Sequence, residues 1–277
     1  MYSLIGLGRA GCNFVKCMSS FSEYDCYYIN TERVDGDCLL LPKQQTAEQY
    51  EQNMPDCSEF LKKTKDKAIL VLGGSGSISA CTLRILETLK DKRIEVFYFR
   101  PDTSLLSGNS LLIERAVFGI LQEYARSAVF ERLWIIGNEE VAGLIGGLSI
   151  KNYYSSINDY ISRAFHFINI FENSEHLFGN MSSAKQTSRI ATIGVYNLQS
   201  GNESLLYNLD GLSEKKMFFA ITDNDLENNR GILKSITDKV KEFNTDKNLA
   251  EFSIFSTVYD HNFCYTVNYS NKIQNLA

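Results

Sequence analysis

The stretch Ala68-Ile69-Leu70-Val71-Leu72-Gly73-Gly74-Ser75-Gly76-Ser77-Ile78-Ser79-Ala80 decides the fold. A five-residue apolar run suits a buried strand, and the Gly and Ser that follow interrupt it before a helical pattern takes over from Ala80 to Leu89. The same order opens the chain. Tyr2 to Leu7 leads into Gly8, Arg9, Ala10 and Gly11, and Cys12 to Ser20 is compatible with a helix. Arg93 to Phe99 and Arg132 to Ile136 are further strand-like runs. Between them Val117, Ile120, Leu121 and Tyr124 mark one face of a helix over Ala116 to Tyr124. Strands alternating with helices pair in parallel, which predicts an α/β fold built on a doubly wound parallel sheet.

Farther on, Ile150, Tyr153, Tyr154, Ile157, Ile161, Ala164, Phe165 and Ile168 recur at three- and four-residue steps, predicting one long helix from Ser149 to Glu172. Strand-like runs then cover Ile190 to Tyr196 and Lys216 to Ile221, followed by a helix from Asn229 to Phe243. Glu251 to Tyr259 and Phe263 to Tyr269, separated by Asp260, His261 and Asn262, read as an antiparallel hairpin. The expected organisation is an α/β domain over 1–148, a connecting central helix over 149–172 and a smaller α+β domain over 173–277.

Composition narrows the function classes. With 277 residues, one large domain or two small ones are expected. A net charge of −5 with scattered Lys and Arg argues against direct nucleic-acid binding. No apolar stretch approaches the ~20 residues of a membrane span, and Met1 to Gly11 lacks the parts of a secretory signal, so the reading is cytoplasmic. The seven cysteines (12, 17, 26, 38, 57, 81, 264) are odd in number and form no C-x-x-C pair, which fits reduced, mostly buried thiols. The three histidines make no H-E-x-x-H, and no metal site is expected.

The two glycine turns have the chemistry of an anion cradle. Backbone N–H groups at a helix start point outward, the helix dipole favours negative charge, and missing side chains admit a phosphate closely. Gly6-Leu7-Gly8-Arg9-Ala10-Gly11 fits G-x-G-x-x-G, and Glu32 supplies an acid where a dinucleotide-binding unit carries one. The competing reading is a pair of tight turns needed only for helix-to-sheet packing.

Taken together, Ile5 to Asn13 and Leu72 to Ala80 resemble the first loop (G-x-G-G-x-G-x-N) and the signature loop (G-G-G-T-G-[ST]-G) of the tubulin/FtsZ superfamily. Tyr28-Ile29-Asn30-Thr31 is similar to its second loop and Ile135-Ile136-Gly137-Asn138-Glu139 to its I-P-N-[DE] strand end. Asn158-Asp159-Tyr160-Ile161 resembles the start of its central helix, and Leu209-Asp210-Gly211-Leu212 onward follows the order of its C-terminal domain. The resemblance implies GTP or GDP, with Mg2+ as companion ion. Phosphates would lie on Gly8, Arg9, Ala10, Gly11 and Cys12 and on Gly73, Gly74, Ser75, Gly76 and Ser77. Asn13, Asn30 and Asn138 would line the nucleotide, and Asp159 would accept from guanine N1–H and the N2 amino group. The competing reading of Asp159 is a solvated helix residue.

In the superfamily a loop N-x-D-x-x-D after the central helix completes hydrolysis in the next subunit's site. Two placements fit here. One is Asn173-Ser174-Glu175-His176-Leu177-Phe178, with Asn173 and Glu175 in the right relation but Phe178 at the second acid. The other is Asn169-Ile170-Phe171-Glu172. The glycine-rich third loop is replaced by Leu41 to Thr46, F-E-G-x-x-R by Leu105 to Ser110 with Glu114 and Arg115 displaced, and the last signature glycine by Ile78. Each lost hydrogen bond to a charged group removes ~1 to 3 kcal/mol, so several together weaken GTP binding by orders of magnitude.

The resemblance thus implies a divergent, short subunit of phage or plasmid type that self-associates head to tail into filaments, the chain ending at Leu276-Ala277 directly after the last strand. Two alternatives stand beside it: a tubulin-like pseudo-GTPase with a structural or regulatory role, and a Rossmann oxidoreductase resting on the first turn and Glu32.

Overall fold

The structure, a computed structural model, describes residues 2–245 and 248–275; Leu276 and Ala277, on which the expected chain end rests, lie outside them. The chain divides into two units, residues 2–162 with 273–275 and residues 163–272.

In the first unit the elements are β1 (Tyr2–Leu7), α1 (Gly8–Met18), β2 (Tyr24–Asn30), β3 (Asp37–Leu40), α2 (Ala47–Gln52), α3 (Ser58–Leu61), β4 (Lys67–Gly73), a 3-10 turn (Ser77–Cys81), α4 (Thr82–Thr88), β5 (Arg93–Arg100), α5 (Gly108–Arg126), β6 (Arg132–Gly137) and α6 (Asn138–Ile145). The helix α7 (Tyr153–Glu172) runs on into the second unit. The strands are parallel in the order β3-β2-β1-β4-β5-β6. β1 is buried along its whole length and β4 over Ala68 to Leu72, and such two-sided burial is why they read as continuous apolar runs rather than alternating ones. Phe14, Val15 and Met18 of α1 are buried, and the Phe14 ring stacks on Phe97 of β5 at 5.0 Å. Among the described residues no helix is long and apolar enough to cross a membrane.

In the second unit come β7 (Phe178–Gly179), β8 (Ile190–Tyr196), β9 (Glu203–Leu205), β10 (Leu212–Thr222), α8 (Asp223–Asn228), α9 (Ile232–Phe243), β11 (Leu249–Thr257) and β12 (Phe263–Ser270). Strand order is β8-β12-β10-β11-β7, with β9 on β8. Ile236 and Val240 of α9 pack on Met217, Phe219, Phe252 and Ile254.

The expected hairpin of the last two strands does not form. β11 and β12 run in opposite directions, but β10 lies between them, parallel to β11 and antiparallel to β12. The five-residue link 258–262 easily crosses the roughly 10 Å of two strand spacings. Apolar alternation reports direction and burial of a strand, not its neighbour. The helix expected from Asn229 likewise begins at Ile232, behind the separate α8.

Candidate functional site

β1 and β4 are neighbours, with Leu7 opposite Leu72, so the two glycine turns leave the carboxyl ends of adjacent strands. The chain order reverses between these strands, and such a switch point is where open α/β sheets place ligands.

Gly8 starts α1 at φ +67°, a conformation that favours glycine. Its N-cap, Leu7, makes no side-chain cap. Helix geometry therefore leaves the amides of Gly8, Arg9 and Ala10 without intrahelical acceptors, at the positive end of the dipole. Gly11 is the packing glycine: a Cβ there would lie 2.1 Å from the Val71 carbonyl oxygen. At Gly73 a Cβ would meet that of Ala10 at 2.9 Å, so the turns touch. The Gly74 N–H donates to the Phe99 carbonyl at 3.2 Å, and its missing Cβ leaves room for the Tyr98 hydroxyl. Gly76 caps the 3-10 turn, where the Ser79 N–H donates back to its carbonyl at 2.9 Å.

Behind Gly74 lies Glu114, which the sequence reading sets aside as displaced. Glu114 is fully buried on α5, accepts from the Tyr98 hydroxyl at 3.3 Å and sits 3.4 Å from the Arg100 Nε. Burial pushes its carboxyl up, and the Arg100 guanidinium and the Tyr98 hydroxyl counter that only in part. The Arg100 guanidinium also stacks over Phe118 at 4.5 Å. Glu114 therefore buttresses the second turn from within, while Arg115 is exposed. A helix with Glu114 and Phe118 four apart was a weak available signal.

The other sequence-predicted residues lie on several elements. Cys12 faces the sheet: its thiol donates to the Gly6 carbonyl at 3.3 Å, and burial pushes its pKa up to about 12. Asn13 is exposed on α1. Asn30 ends β2, its carbonyl accepting from the Leu41 N–H at 2.8 Å, and Asn138 opens α6. Ser75 and Ser77 are half-buried. Asp159 is exposed on α7, and after burial its charge is the next cause that raises the Cys17 thiol pKa, which brings it near the last turn of α1. Glu32 is 73% exposed and pairs with Lys43 at 3.2 Å, a solvated surface pair. Among the described residues no cluster of His, Cys, Asp or Glu is placed to hold a metal ion.

In the second unit, α7 extends through Glu172, so Asn169 to Glu172 belong to its last turn and the following loop begins at Asn173. The Asn173 amide donates to the Asn169 carbonyl at 2.7 Å. Glu175 is exposed. Phe178 pairs with Ile254 as part of β7, its ring 6.2 Å from Phe252, and the preceding Leu177 N–H donates to the Ile254 carbonyl at 2.8 Å. Phe178 is itself 52% exposed and, being apolar, supplies no second carboxylate.

By sequence, neither a family model nor a curated protein matches the chain. By structure, it is similar to GDP-form protofilaments of Bacillus thuringiensis serovar israelensis TubZ (TM-score 0.73, 13% identity, 98% of this chain and 87% of that one). It is similar to the CetZ2 of a GTPγS-bound protofilament from Haloferax volcanii (TM-score 0.70, 14% identity, 98% and 93%). An empty FtsZ dimer from M. jannaschii gives a TM-score of 0.70 at 13% identity, covering 96% and 87%.

Proposed function

Starting from a chain that has the tubulin/FtsZ fold, we propose that it is a guanine-nucleotide-binding subunit that assembles head to tail into filaments. The observation that carries this reading is the meeting of two glycine turns at the β1–β4 switch point, where α1 starts without a side-chain cap. Gly8, Arg9 and Ala10, with Gly73 to Ser77, hold the phosphates, accompanied by Mg2+. Gly11 and Cys12 shape the turn from beneath. Asn13, Asn30 and Asn138 line the sugar and base, and Asp159 selects guanine. In this reading residues 1–148 form the nucleotide domain and 173–277 the smaller domain, joined by a segment over 149–172 whose helix begins at Tyr153 rather than at Ser149.

Assembly is supported by apolar residues exposed in both units. Leu105, Ile150 and Tyr154 are 79%, 96% and 65% exposed in one, and Leu177, Phe178 and Val258 are 63%, 52% and 100% exposed in the other. A head-to-tail contact uses two different patches and, when it does not close, gives an open filament. Asn173 and Glu175 are the remaining pair for hydrolysis in the next subunit, with Glu172 at the helix end.

Sedimentation with GTP, GDP, ATP or no nucleotide, followed by electron microscopy, tests the proposal. Guanine nucleotide is expected to drive the protein into the pellet as filaments. No assembly with any nucleotide at micromolar protein would overturn it. Phe178 at the position of the second acid favours a second reading, a filament subunit without turnover, which predicts phosphate release that does not rise with protein concentration.

A further inference from the structure

One side chain in the cradle has no role in holding a phosphate. Ile78, half-buried on the 3-10 turn, points its Cγ2 methyl at the first turn: the methyl lies 2.6 Å from where a Cβ on Gly8 would stand and 3.8 Å from one on Gly76. The turn beneath it is fastened. The Ser79 N–H donates to the Gly76 carbonyl at 2.9 Å, and the Thr82 hydroxyl donates to the Ser79 carbonyl at 2.6 Å. A β-branched side chain is stiff at χ1, so the methyl does not swing aside freely.

In the guanine reading the base lies at Asp159 on α7 and the phosphates lie where α1 begins, at Gly8. With guanine at the Asp159 end, the phosphate chain reaches toward Gly8, and its terminal group is the one that meets Ile78. A methyl there offers no donor and strips water from the phosphate oxygens, a penalty that a shorter chain avoids.

We propose that Ile78 is a steric filter that makes the cradle prefer guanosine diphosphate to the triphosphate. This rests on the guanine-nucleotide reading above and adds the length of phosphate chain that the site accepts.

Calorimetric titration of the full chain with GDP and with a non-hydrolysable GTP analogue tests it, in wild type and in Ile78→Ala, Ile78→Ser and Ile78→Val. Wild type is expected to bind GDP about tenfold or more tightly than the triphosphate. Ala and Ser remove Cγ2 and bring the ratio to within about twofold, whereas Val keeps both γ-carbons and retains the wild-type ratio. Equal binding by wild type, or a ratio unchanged in Ala and Ser, would overturn the filter while the guanine site stands. Binding of neither nucleotide by any of the four proteins would overturn the site and the filter together.

Discussion

Replacing Glu203 by Ala is expected to lower stability by about 3 to 5 kcal/mol, because it leaves an ammonium buried without its partner. Lys215 of β10 and Glu203 of β9 form an ion pair with side chains only 7% and 11% exposed. The Glu203 carboxylate also accepts from the Asn268 amide at 2.8 Å and from the Thr266 hydroxyl, both on β12. The Lys215 ammonium stands 3.4 Å over the Phe243 ring. Burial pulls the Lys215 pKa down, and Glu203 opposes that. Without Glu203 the lysine tends to shed its proton, which sets the upper end of the range. The double variant Glu203→Leu with Lys215→Met removes both charges and is expected within about 1 kcal/mol of wild type, or above it. Denaturant midpoints read the cycle. A loss below about 1 kcal/mol in the single variant would show that the pair is more solvated than its burial indicates.

Gly11→Ala is the second large effect. The nearest atoms to the added methyl would be the backbone oxygen and carbon of Val71 on β4, at 2.1 and 2.9 Å, and neither is the end of a flexible side chain. The helix α1 has to lift from the sheet, disturbing the fully buried Phe14, Val15 and Met18. A loss of about 3 kcal/mol is expected. Gly76→Ala is the contrast. Its Cβ would meet only Ile78 Cγ2 at 3.8 Å, an ordinary contact, so thermal melts should place it within about 0.5 kcal/mol of wild type. Equal melting of the two variants would contradict the tight seat of α1.

The parts of the fold that were legible in the sequence are those where one local signal settles the matter. Tyr2–Leu7 and Ile190–Tyr196 end where their apolar runs end, and both glycine turns fall at strand ends. Short elements carry too little periodicity. The strand Asp37–Leu40 is half-exposed along its length, and α2 and α3 span six and four residues. Partner choice was equally hidden, since nothing in Glu251 to Tyr269 announces that β10 enters between β11 and β12. Lys215 and Lys216 are both buried, and only the assembled sheet brings Glu203 to Lys215. At the candidate site, the turns follow from glycine spacing. Glu114 behind Gly74 and the aim of Ile78 depend on how α5 and the 3-10 turn pack, which spacing does not encode. Where α7 ends was also hidden: it runs through Glu172, so Asn169 to Glu172 are helical and the loop opens at Asn173.

In the proposed site the paired turns at the ends of β1 and β4 hold a guanine nucleotide. The most direct measurement is to denature the purified chain and identify the released base by chromatography. GDP or GTP is expected in an amount approaching the protein's own. An adenine nucleotide, a nicotinamide dinucleotide, or no base even after incubation with guanine nucleotides would contradict it.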